Sequence, residues 1–444
     1  MSAGEPFEPL DHEDARILAL ESATIVGHTC KVGIVERVPG VDPLTALRAE
    51  MARRIARVPR CCQCVRAQDG AAGTWCWADD GRFDIDEHVC AAPVTGTVDR
   101  AGLLAVAGRL MARRLDRDRP LWSIDVVPHL DDDTWAFVWR VHHCMADGMT
   151  LMRWADELLW DAPADATTAS TSQAEHEATE RAVARARWRH LAELAEIAEL
   201  AEHAPGALAR ELRPVEAHSP FAGAVGTTRE LACARCALDD LRAIGHAVGD
   251  GVTVNDVLLT AVGGAIRRWA EDRGVHLPVV RIKVPVSMHV SGAADDLGNR
   301  DSFMFVDVPL SHDDPVARLR TVHAETRRRK RHEDARVIDA LERVAPLSRA
   351  VTRVTMSPHE FMVNVSNVPG PRTPRSVLGG AVRELYSFAE VAPHHALRVS
   401  AVSLAGTMFV GLNTDPAVVP DVVSLADGIE ASTAELLDAV GARP

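Results

Sequence analysis

Residues 134–150 read TWAFVWRVHHCMADGMT and gather two imidazoles, a thiol and a carboxylate into one short stretch. An imidazole titrates near pH 6.5, so it is the side chain best suited to taking a proton from a substrate at neutral pH. Side chains alternate along a strand, which places Phe137, Trp139 and Val141 on one face with His143, and Val138 and Arg140 on the other with His142. Beyond Asp147 and Gly148, Leu151, Trp154 and Leu158 fall at helical spacing. An imidazole is thereby delivered to a strand–loop–helix junction, where a side chain is both fixed and reachable, and Gly148 supplies backbone freedom for the turn. On residue chemistry alone, three readings of the histidines stay open: a satisfied interior pair, a general base, and two members of a metal site. The metal reading is the weakest, because the two rings face apart and no further histidine stands nearby at ligand spacing. A nucleophilic Cys144 activated by His143 conflicts with the same alternation.

Other reactive residue types fall at the edges of elements. Asn255 and Asp256 open the helical stretch NDVLLTAVGGAIRRWAED, a position where either would serve as a cap. Cys61, Cys62 and Cys64, with Cys233 and Cys236 in a C-x-x-C, could in principle hold zinc. However, Cys233 and Cys236 read as part of a strand entering a helix, where small buried thiols are common, so no metal is expected. The run TRRRKRH at 326–332 is the densest positive charge, read first as a solvated helix face.

The elements that must position these residues alternate between strand and helix. VVRIKVPVSM, DSFMFVDVPL, EFMVNVSNV and the pair RVSAVSLAG and TMFVGLN read as strands, and the C-terminal VSLADGIEASTAELLDAV as a helix. The small polar run DAPADATTASTSQ at 161–173 reads as a connector, and 175–202 as a long amphipathic helix bearing Val183, Trp188, Leu191, Leu194, Ile197 and Leu200. Pro205, Pro214 and Pro220 then interrupt helical continuity. The resulting division is an N-terminal lobe at 1–160, a linker with the helix at 161–226 and a C-terminal lobe at 227–444, both lobes α/β or α+β.

Composition closes off several classes of function. The 444 residues carry 49 Lys plus Arg against 63 Asp plus Glu, a net charge of −14, so no nucleic-acid partner is expected. No uninterrupted apolar stretch is long enough to span a membrane, and the acidic N-terminus lacks an apolar core, so a cytoplasmic location is expected. Nine cysteines without an export signal imply reduced thiols.

The ordered set of motifs has a family likeness. The HHCMADG segment resembles the HHxxxDG signature of the acyl-CoA-dependent acyltransferases. LDRDRPLW (115–122) precedes it, and TVNDVLL (253–259), VPVSM (284–288), LGNR (297–300) and VSNVPGP (365–371) follow in order. Together they resemble the bacterial wax ester synthase/diacylglycerol acyltransferase family over nearly the whole chain. The resemblance implies a fold like chloramphenicol acetyltransferase, two α/β lobes with a tunnel between them. It implies His143 as general base, with His142, Asp147 and Gly148 completing the signature and Asn255 supporting, possessing a hydrogen bond for the tetrahedral intermediate.

Asp256 is implied as a cap or neighbouring support. Asp147 is implied to be structural, paired with an arginine of the other lobe. This chain reads PVSMHV where relatives carry that arginine, so His289, Arg281 or Arg300 stands in. The implied reaction moves a fatty acyl group from acyl-CoA, as substrate and with no cofactor, to diacylglycerol or a long-chain alcohol. The imidazole takes the alcohol proton and returns it to the CoA thiolate. The alternatives are a different hydroxyl acceptor, such as a secondary metabolite, and a non-catalytic lipid-binding relative. Peripheral contact with the inner membrane face or lipid droplets is implied by lipid substrates, and the basic run at 326–332 would suit anionic lipid or CoA phosphates.

Overall fold

The computed structural model describes residues 8–67, 74–161, 219–287, 301–331 and 360–441. The first part runs β1 (Glu8–Pro9), α1 (His12–Ala19), β2 (His28–Glu36), α2 (Pro43–Arg54), β3 (Gln63–Ala67), β4 (Trp75–Asp79), α3 (Ile85–His88), β5 (Val89–Ala91), α4 (Arg100–Met111), β6 (Trp122–Val127), β7 (Thr134–His142) and α5 (Gly148–Leu158). The second part runs β8 (Glu230–Ala237), α6 (Leu238–Val248), α7 (Val254–Glu271), β9 (Val279–Ser287), β10 (Asp301–Pro309), α8 (Pro315–Arg331), β11 (Val363–Val368), β12 (Ser376–Val377), β13 (Gly380–Ala389), β14 (Leu397–Leu404), β15 (Thr407–Thr414) and α9 (Val422–Ala439).

Two six-stranded sheets carry the molecule. One has the order β12-β13-β2-β7-β6-β5 and the other β10-β9-β11-β14-β15-β8. Each lies against its own apolar core, the first around Phe137, Trp139 and Leu103, the second around Val257, Ile266 and Val410. The expected two-lobed α/β plan is therefore present. β7 is buried along its whole length. Covered on both faces, it has no solvent side to make polar, which explains the run of aromatic and aliphatic residues from Trp135 to Trp139, and the buried Arg140 beyond it pairs with Asp125.

Chain order and lobe membership do not coincide. β13 belongs to the C-terminal half of the sequence, yet it pairs antiparallel with β2 in the first sheet, with Ser387 opposite Lys31 and Phe388 opposite Cys30. A boundary near 227 therefore divides the sequence but not the sheets. The connector expected at 161–173, save Asp161, and the amphipathic helix expected at 175–202, together with His289 and Arg300, lie outside the described residues. The strands and helices read from sequence in the second half fall at β9, β10, β11, β14, β15, α7 and α9.

Candidate active site

β7 ends at His142, so His143 stands in the turn that leads to α5. Its backbone N–H donates to the Gly27 carbonyl at 2.9 Å, while that of His142 donates to the Leu121 carbonyl at 2.9 Å. The turn is thus clamped from both sides. Gly27 has φ +72°, and a Cβ there would lie 2.5 Å from Nε2 of His142, so this position requires glycine for both conformation and space.

The two histidines have separate surroundings. His142 is fully buried, with Nε2 2.9 Å from Oε1 of Glu21, and its Nδ1 accepts the Cys144 N–H at 3.2 Å. An accepting Nδ1 leaves the proton on Nε2, the nitrogen that faces the carboxylate. Arg114 and Arg117 hold the other oxygen of Glu21. Burial alone would raise the Glu21 pKa, but hydrogen bonds from His142 and Arg117 bring it below the usual carboxylate range. His142 lines neither of the cavities described next. It packs behind the turn, apart from both cavities, whereas the resemblance had grouped it with His143 as catalytic.

His143 is half-buried and borders two cavities. The two hold about 690 and 930 Å³ of free space including their open mouths, and His143, Pro285, Ala389 and Arg398 line both. One cavity has polar walls, among them Thr29, Lys31, Ser366, Asn367, Ser387 and Ser400. The other is walled by Ile17, Leu20, Ile25, Phe303 and Val391 together with the charged Glu13, Arg16 and Glu390, and Lys283 stacks 4.0 Å over the Phe303 ring. Nδ1 of His143 is shut off from solvent. Burial pushes the ring's pKa below 6.5, the Arg398 charge adds to this, and Asp147 opposes it. The ring is therefore neutral at pH 7 and able to accept a proton.

Asp147 is buried and caps α5, accepting the Thr150 N–H at 2.7 Å. Of the partners considered for it, Arg281 grips Asp307, its register partner on β10, at 2.6 and 3.0 Å. Gly148 has a different role from the one expected. Its φ is not positive, and a Cβ there would lie 2.6 Å from Cγ2 of Val368 on β11, so its missing side chain lets the two lobes approach. Cys144 is buried and burial pushes its thiol well above the ordinary range, which removes it as a nucleophile.

Asn255 sits half-buried in the first turn of α7 and lines neither His143 cavity. Asp256 completes a capping box with Thr253 and also binds His323 at 3.0 Å and Thr326 at 2.7 Å. It borders a third cavity with Arg327 and Lys330. The basic run is correspondingly split: Arg327 and Lys330 face that cavity, whereas Arg329 is buried against Glu325. Sequence reasoning missed Lys31, Ser387 and Arg398 in the cavity and Glu21 and Gly27 behind it. A lysine inside the apolar strand HTCKVGIVE was the available signal. The others come from segments that only the folded chain brings near His143.

Comparison with known proteins agrees with this fold. The "Wax ester synthase/diacylglycerol acyltransferase catalytic domain" matches residues 10–258 and the "WS/DGAT C-terminal domain" residues 297–437. The chain is 32% identical over 427 residues to a probable diacylglycerol O-acyltransferase of Mycobacterium tuberculosis, covering 91% of each. In fold it is similar to a wax ester synthase/diacylglycerol acyltransferase from Marinobacter aquaeolei VT8, with TM-score 0.71, 20% identity and coverage of 98% of this chain and 100% of that one. It is also similar to the first condensation domain of the calcium-dependent antibiotic synthetase, with TM-score 0.63, 15% identity and coverage of 98% and 97%.

Proposed function

The chain belongs to the wax ester synthase/diacylglycerol acyltransferase family, and from that premise we propose that it transfers a fatty acyl group from acyl-CoA to the hydroxyl of a lipid, diacylglycerol or a long-chain alcohol. The observation that carries the proposal is that two cavities meet at His143, one lined by several hydroxyl and amide side chains and the other by more hydrocarbon. A site open on two sides can hold a thioester and an alcohol at once, which supplies proximity without a covalent acyl-enzyme.

In this reading Nε2 of His143 takes the hydroxyl proton as the alcohol oxygen attacks the thioester carbonyl. The tetrahedral intermediate then collapses, the C–S bond breaks, and the imidazolium returns the proton to the CoA thiolate. Protons and charge balance with no cofactor. Hydrogen-bond donors on the polar wall, Asn367 and Ser400 among them, are available to the oxyanion. The acceptor's chains partition into lipid, so the enzyme would meet it at a lipid surface; no helix among the described residues is long and apolar enough to cross a membrane.

Replacing His143 by alanine is expected to lower acceptor-dependent CoA release about 10²–10⁴-fold, the usual worth of a positioned base. Release of CoA would be followed with oleoyl-CoA and either diacylglycerol or hexadecanol. A folded His143→Ala protein that kept most of its turnover would overturn the scheme.

A further inference from the structure

The polar cavity contains a cation that the proposed chemistry does not use. Lys31 is 2% exposed in the middle of β2, and its Nζ donates to Oγ of Ser387, directly opposite on β13, at 2.7 Å. Among the described residues that is its hydrogen bond, and no carboxylate is among those that line the cavity. An ammonium has three donors, so two remain for whatever enters. Burial without a counter-charge lowers the lysine's pKa to about 8, which leaves it mainly protonated at neutral pH.

Placement relative to the base fixes what Lys31 could touch. His28 pairs with His142, and Lys31 lies three residues further along β2 on the wall of the cavity that His143 also lines. Lys31 is level with Trp139, four residues before His143, so at ~3.3 Å per residue about 13 Å of backbone separates them, a gap the two side chains and a small oxygen-bearing headgroup share between them. A long-chain alcohol has one oxygen, and the reaction consumes it at His143. The methylenes that follow would cover the ammonium with hydrocarbon and leave its donors unmatched, which is costly. Diacylglycerol carries ester carbonyls a few bonds from its free hydroxyl, and a carbonyl oxygen accepts from an ammonium.

Building on the proposed acyl transfer, we infer that Lys31, held by Ser387, is the specificity-determining donor of this site: it selects an acceptor with an ester carbonyl beside its hydroxyl over a plain long-chain alcohol. The serines lining the same cavity extend this polar wall, with Ser366 donating to Ser400 at 3.2 Å.

The test compares 1,2-dioctanoylglycerol with 1-decanol as acceptors at saturating acyl-CoA, for the wild type, Lys31→Met and Lys31→Arg. Methionine has a similar reach and removes a desolvated charge, so the fold is expected to hold. The wild type is expected to prefer the diglyceride. In K31M the ratio of kcat/KM values, diglyceride over decanol, is expected to fall about ten- to hundredfold, mainly through KM, the usual worth of a hydrogen bond to a charged group. K31R, which keeps a charged donor, is expected to retain a measurable part of the preference.

A wild-type preference for decanol, or an unchanged ratio in K31M, overturns the inference. Equilibrium binding of the two lipids to His143→Ala, with and without Lys31→Met, separates it from the catalytic proposal. Retained turnover in the alanine variant would overturn the base. Equal diglyceride binding with and without the lysine would overturn the selector.

Discussion

The ring of His143 sits where burial and the Arg398 charge both disfavour the imidazolium, with Asp147 partly opposing them. A lowered pKa means that the ring stays neutral as the pH falls through 6.5, and protonates only below its own shifted value. The acid limb of kcat/KM is therefore expected below pH 6.5. Replacing Arg398 by glutamine removes a charge that lowers the pKa, so the limb is expected to move to higher pH. A pH–rate profile of both proteins checks the sign, and an unmoved limb would argue that another group titrates. The adjacent His142 shows why one residue type served two purposes. Its ring is spent on Glu21 and the Cys144 amide. Of the two neighbouring histidines, one borders the cavities and the other is held behind the turn, and only their neighbours tell them apart.

At the scale of elements, the site depends on how closely α5 and β11 approach. Gly148 opens α5, and an added Cβ would meet Cγ2 of Val368 at 2.6 Å. Gly148→Ala is expected to push β11 off the start of α5 at a cost of ~1–3 kcal/mol in overpacking. Because both residues line the polar cavity, kcat/KM should fall more than tenfold while the protein still unfolds cooperatively. Thermal unfolding and steady-state kinetics on the same sample test this, and full activity would show that the lobes tolerate separation. Local signals did reveal the helix ends. They did so to within two residues: a cap was read at Asn255 or Asp256, whereas Thr253 caps α7 with Asp256 as its N3 partner, and Asp147, read as structural, caps α5, because a side-chain oxygen satisfying the first free N–H groups is a short-range requirement. The same chemistry explains Asp256, whose oxygens go to Thr253, His323 and Thr326.

At the scale of the whole molecule, β13 joins the halves of the chain. Ser387 and Ala389 reach the cavity only because β13 lies beside β2. A fragment comprising residues 1–161 would lack β13 and expose the hydrogen-bonding edge of β2, a template for association. It is expected to aggregate or to show little amide protection in β2, and adding residues 219–444 in trans should restore protection there. Hydrogen exchange measures both, and a well-protected β2 in the lone fragment would refute the expectation. By itself the sequence determined the family and the α/β character of both halves, and singled out His143 as the candidate base, since these rest on residue type, spacing and periodicity over short distances. The tertiary structure alone decided that His142 is an anchor, that Gly148 serves close approach, and that Lys31 and Arg398 share the cavity of His143. Each of those facts depends on strands distant in the chain lying side by side, and no local pattern encodes which strands those are.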